Sequence, residues 1–67
     1  MPLITIEGPV ITDVARKRKL AQLLTDAAAE GYGMGREHII VLIKENSTEN
    51  VASGGRLVAD MHREDET

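Results

Sequence analysis

Five consecutive apolar residues, Ile39-Ile40-Val41-Leu42-Ile43, constrain this chain more than anything else in it. The run is short and rich in β-branched side chains, so it reads as a strand. It does not alternate, so both of its faces need cover. An earlier segment, 3–7, does alternate (Leu3-Ile4-Thr5-Ile6) and reads as a second strand. Between them lies one helical pattern, 14–30, in which Leu20, Leu23, Leu24, Ala27 and Ala28 fall on one face. Strand, helix and strand in that order predict a βαβ unit with parallel strands and a right-handed crossover. One helix covers one face of a two-stranded sheet. The other face therefore predicts a second subunit.

The punctuation of the chain fits one domain over 1–67. Gly8-Pro9 is expected to interrupt the first strand, since proline donates no ladder hydrogen bond. Val10-Ile11 continues extended, and Thr12 or Asp13 caps the helix. Gly31 is the expected C-cap, with Gly33 and Gly35 in the loop beyond. Residues 46–50 form a polar loop, 51–55 a bend or short hairpin, and 56–61 a terminal strand or a helical turn. From 62 the chain reads as a charged, frayed tail. The fold class is α/β (α+β): a βαβ unit with a short C-terminal hairpin.

At 67 residues the gain from burial and the entropy of ordering nearly cancel. Cysteine is absent and Tyr32 is the sole aromatic residue, so neither disulfides nor large rings reinforce the core. This again predicts an oligomer. A net charge of −3 argues against nucleic acid as a partner. No segment approaches ~18 apolar residues, so no membrane span is expected. The start lacks a basic region followed by an apolar run, so a signal peptide is not expected and the default compartment is the cytoplasm. His38 and His62 lie far apart, with no metal-ligand spacing, and no cofactor is expected.

Pro2 is the residue with the clearest chemistry. Inside a chain the proline nitrogen is an amide. Removal of Met1 would leave a secondary amine at the head of the first strand. In an apolar pocket such an amine loses its charge more easily than in water, and so becomes a base near neutral pH.

Taken in order, Pro2, the strand ending Val41-Leu42-Ile43-Lys44-Glu45, and Gly54-Gly55-Arg56-Leu57 resemble the 4-oxalocrotonate tautomerase family. The resemblance runs from Pro2 to about Met61. It implies that two βαβ units share a four-stranded sheet with two helices on one face, and that dimers assemble into a hexamer, a trimer of dimers. It also implies that Pro2 is the general base moving a proton within a small enol or 2-oxo acid. In the family, arginines hold the substrate carboxylates and an apolar wall lowers the basicity of the proline.

The chain departs from that pattern at three positions. Thr12 and Ile40 stand where the family carries its arginines, and Val51 where it carries an aromatic residue. Replacements are sought nearby. Arg16, four residues beyond Thr12, is expected on the same helix face, although a run such as Arg16-Lys17-Arg18-Lys19 also reads as a solvated turn. Lys44 shares a strand face with Ile40 and Leu42 and could stabilise an enolate, or simply mark an exposed strand exit. His38 could donate to a carboxylate or act as an acid, or be an idle loop residue. Asn46 and Asn50 are neutral donors that more commonly serve their own turns. Gly54-Gly55 suggests backbone freedom rather than a phosphate loop. The substrate-binding candidates are thus Arg16, Lys44, His38 and Val51. Two functions follow: a proline-based tautomerase acting on a small molecule, or an oligomeric binding scaffold that keeps the fold without the chemistry.

Overall fold

The computed structural model describes residues 1–65, with side chains as far as 61. Strand β1 spans Leu3–Pro9, helix α1 Val14–Tyr32 and strand β2 Ile40–Asn46. The strands are parallel, in a register that runs from Leu3 opposite Ile40 to Pro9 opposite Asn46. A hairpin of β3 (Ala52–Ser53) and β4 (Arg56–Leu57) leads into α2, Val58–Asp65. Single 3-10 turns occupy Arg36–His38 and Thr48–Asn50. The expected βαβ unit and C-terminal hairpin are both present.

Several boundaries differ from expectation. Gly8-Pro9 does not interrupt β1, which continues to Pro9. The carbonyl of Pro2 accepts from Ile40 N–H at 3.1 Å, so even-numbered residues turn their amides toward β2. Pro9 therefore lacks a donor only on the outer edge of the sheet, where a proline is tolerated. Asp13 caps α1, its carboxylate accepting from Ala15 N–H at 2.9 Å. The helix ends at Gly33 rather than Gly31. Gly33 takes the left-handed conformation (φ 65°), and Met34 N–H closes back onto Ala29 C=O at 3.0 Å. That pattern satisfies the last carbonyls only when the left-handed residue follows the final turn. Residues 56–61 divide between the two structures considered for them: Arg56 and Leu57 pair with the hairpin, and the rest is helix. The backbone of α2 continues to Asp65, and the remainder of the expected tail lies outside the described residues.

The hairpin turn requires its glycines. With Ser53 opposite Arg56, only Gly54 and Gly55 lie in the loop, at φ 60° and 82°. A two-residue turn with both φ values positive matches strand twist and disfavours any side chain with a Cβ.

The sheet has two unlike faces. Ile4, Ile6, Val41 and Ile43 are half-buried beneath α1, which turns Lys17, Leu20, Ala21, Leu24, Thr25, Ala28 and Ala29 toward them. The helix stripe is rotated from the predicted one: Leu23 is 54% exposed and Ala27 is also exposed. A pair of strands about 5 Å apart is narrower than a helix about 10 Å across, so only part of the apolar stripe finds the sheet. The opposite face leaves Leu3, Ile40 and Leu42 open at 57%, 39% and 46%.

No described residue is fully buried. The accessible surface is 5276 Å², whereas a compact chain of this mass exposes about 4,200 Å². The radius of gyration is 15.7 Å, against about 11 Å for a compact domain of this length. Strand β2, whose apolar run predicts cover on both faces, receives it on one.

Candidate active site

Pro2 is half-buried one residue ahead of β1, with Met1 beyond it 89% exposed. Its carbonyl is fixed by the first amide of β2. Beside it a groove is lined by Met1, Gly33, Met34, Gly35, Glu37 and His38. The 3-10 turn delivers His38 there, His38 N–H donating to Gly35 C=O at 3.1 Å. The imidazole Nε2 lies 3.6 Å from the Glu37 carboxylate. Neighbouring Arg36 is held by Asp26 on α1, Nε to Oδ1 at 2.7 Å. Of the four binding candidates, His38 is the one at the Pro2 end of the sheet.

The other three lie toward the far end. Arg16 lines a groove with Val10, Ile11, Thr12 and Asp13. Thr12 does not share a helix face with Arg16, because it precedes the cap, yet the two residues meet in that groove. Lys44 stands on the outer face of the sheet, opposite Glu7. Val51 lines an open groove of about 610 Å³ with Glu7, Pro9, Asn46, Thr48 and Asn50 among its walls. From Pro2 to the level of Lys44 the strand climbs roughly 16 Å. One subunit therefore does not bring Pro2 together with Arg16, Lys44 or Val51.

The polar residues at the far end form a network that the sequence reading did not single out. Glu45, 23% exposed, accepts from Ile11 N–H at 2.6 Å and pairs with Lys17 on the first turns of α1. The Lys17 ammonium, followed by the Ile11 amide, holds the Glu45 carboxyl below its ordinary value. A signal was available: Glu45 has the parity of Val41 and Ile43, and Lys17 precedes Leu20 by three, so both fall on inward positions. Asn46 does not serve a turn; its side-chain amide donates to Glu7 at 2.8 Å. The backbone N–H of Asn50 donates to Ser47 C=O at 2.8 Å, and Asn50 lines the same groove as Val51. Among the described residues no cluster of three or more His, Cys, Asp or Glu could hold a metal ion, and no helix is long and apolar enough to cross a membrane.

Comparison with known proteins matches residues 2–61 to the family described as tautomerase enzyme. A probable tautomerase from Bacillus cereus is 33% identical over 60 residues, covering 90% of this chain and 98% of that protein. The crystal structure of DmpI from Archaeoglobus fulgidus is 47% identical, with a TM-score of 0.79 over 88% of this chain and all of that one. The structure of TomN, a 4-oxalocrotonate tautomerase homologue in the tomaymycin biosynthetic pathway, superposes with a TM-score of 0.84 at 31% identity, covering 92% and 95% of the two chains. With the family match beginning at Pro2 and running through the strand pair, the helix and the hairpin, the chain belongs to the tautomerase family and is an isomerase of the 4-oxalocrotonate tautomerase type.

Proposed function

We propose that the processed chain, with Met1 removed, uses the imino nitrogen of Pro2 as the general base of a tautomerase acting on a small enol or 2-oxo acid. The observation that carries this reading is the setting of Pro2: half-buried, at the head of a strand, with its own carbonyl pinned by Ile40 N–H. A ring nitrogen so tethered has little freedom to lose when it meets a substrate. It takes the hydroxyl proton from the enolised acid and returns a proton to a carbon of the same molecule, giving the 2-oxo form (an α,β-unsaturated ketone where the substrate is a dienol) with no net change in atoms or charge.

In this reading Arg16 binds a substrate carboxylate, Lys44 and His38 are further donors to developing negative charge, and Val51 supplies an apolar wall. Within one subunit they are divided between the two ends of the sheet. The working site is then composite, with the base from one copy and most binding groups from another. The uncovered Leu3, Ile40 and Leu42 support such an assembly. We assign it as a homo-oligomer in which two βαβ units share a four-stranded sheet and dimers build a hexamer. The protein is assigned to the cytoplasm.

The test uses two preparations, one processed to Pro2 and one retaining Met1, each verified by intact mass. Phenylenolpyruvate is the probe. Retention of Met1 turns the base into an amide, and activity is expected to fall by about 10²–10⁴-fold. Equal turnover by the two forms would overturn the assignment of the base. An intact oligomer that turns over no enol acid, even with Pro2 free, would instead favour the scaffold reading that the absence of arginine at Thr12 and Ile40 invites.

A further inference from the structure

One cluster ties β2, α1 and the connection between β1 and α1 together and has no part in the chemistry assigned above. Glu45 belongs to β2, Lys17 to α1, and Ile11 to the connection 10–13 that joins β1 to α1. The Glu45 carboxylate accepts from Ile11 N–H at 2.6 Å and simultaneously pairs with Lys17. Among the described residues, the other hydrogen bonds of that connection are those of the Asp13 cap: its carboxylate to Ala15 N–H, and its carbonyl to Arg16 and Lys17 N–H at 3.1 and 3.2 Å. The cap fixes the connection to the helix. Glu45 fixes both to the sheet.

The connection and the first helical turn are also the walls of the groove that holds Arg16, formed by Val10, Ile11, Thr12, Asp13 and Arg16. One wall residue, Ile11, is bonded directly to Glu45. Another, Arg16, is the immediate neighbour of Lys17. Pairing also compensates the charge of Lys17, so that it does not compete with Arg16 for an anion, and the charge of Glu45, so that it does not repel one.

We propose that Glu45 is a positioning residue for Arg16: by holding Ile11 and Lys17 together it sets the groove in which Arg16 meets a substrate carboxylate. The inference rests on the reading of Arg16 as an anion-binding residue and is independent of the identity of the base. Glu45 itself touches no substrate.

The experiment measures the Kd of phenylpyruvate, by calorimetry on the assembled protein, for Glu45→Ala and Glu45→Gln, each alone and combined with Arg16→Ala. Glu45→Ala is expected to weaken binding about tenfold, and Glu45→Gln about threefold, since its amide oxygen still accepts from Ile11 N–H while the charge on Lys17 goes unpaired. With Arg16 already replaced, neither change should weaken binding further. Exchange of the Ile11 amide, followed by NMR, should accelerate in Glu45→Ala and stay near the parent rate in Glu45→Gln. A loss of affinity that persists undiminished without Arg16, or an Ile11 amide indifferent to Glu45→Ala, overturns the positioning role. If Glu45→Ala does not assemble, the Glu45→Gln cycle decides by the same criterion. Arg16→Ala alone leaving Kd unchanged would sink the anion reading beneath it, whereas a weakening by Arg16→Ala that Glu45→Ala does not reproduce sinks the positioning role only.

Discussion

The two faces of the β1–β2 sheet have similar alphabets and different fates. On the inner face Ile4, Ile6, Val41 and Ile43 are half-buried against α1. On the outer face Leu3, Ile40 and Leu42 are just as apolar and remain between 39% and 57% exposed. The outer face also changes along its length. It is apolar near Pro2, where Leu3 faces Ile40, and charged farther on, where Glu7 faces Lys44. A partner that covers this face meets a dry patch at the Pro2 end and a polar one at the other. The contrast teaches that one subunit supplies core-type residues on both faces of its sheet but covers only one of them. In the assembly proposed above, the second face becomes a core.

The largest effect should come from breaking the uncovered face. Leu42→Asp introduces a carboxylate where the assembly needs apolar surface, a burial costing several kcal/mol unless it is paired. Light scattering should show dispersed or unfolded subunits, and a folded oligomer of native size would contradict the two-core picture.

Acid should act on the covered side. The Glu45 carboxyl lies below its ordinary value of 4.5, held there by Lys17 and Ile11 N–H. A lowered folded-state value means that the unfolded chain binds the proton first. The contribution is therefore complete above pH 4.5 and is lost as pH falls below 4.5 through the folded-state value. Thermal melts of Glu45→Gln should lack that part of the acid destabilisation seen in the parent. Identical acid profiles for the two proteins would show that the clamp between α1 and β2 adds nothing.

A smaller change probes the C-terminal hairpin. Gly55→Val forces a β-branched residue into φ 82° and should cost about 1–2 kcal/mol, read as a lowered Tm. The smallest effect is expected at Asp26→Ala. The Arg36–Asp26 pair is more than half exposed on both sides, and such pairs contribute at most about 1 kcal/mol. A large loss there would mean that the loop carrying His38 depends on a surface contact, and would shift attention toward the Pro2 end of the sheet.

How much of this was legible in the residues varies with the range of the interaction. The alternation of β1, the single long helix and the unbroken apolar run of β2 gave the order and the parallel pairing, because period and length are local properties. The glycine pair gave the hairpin turn, since only glycine adopts two successive positive φ values without strain. The apolar period places the helix stripe about one position away from the face that packs, because the period carries no information on the narrow sheet beneath it. Gly31 and Gly33 can each end the helix locally; the carbonyls of Ala29 and Glu30, on which Met34 and Gly33 close, decide for Gly33. The Glu45–Lys17 pair is not legible in the sequence alone, because a charge at an inward position gains meaning only when its partner, 28 residues away, is known.

Sequence by itself determined the βαβ order, the need for cover on both faces of β2, the turn at Gly54-Gly55 and the residue able to present a secondary amine. All of these depend on neighbours within a few positions or on the chemistry of one side chain. Tertiary structure alone decided that Pro2 and His38 lie at one end of the sheet while Arg16, Lys44 and Val51 lie toward the other, and that Glu45 joins β2 to the start of α1. Those facts depend on strand register and on the direction in which the helix returns. A parallel pairing separates residues by their distance along the strands, whatever their chemistry would prefer.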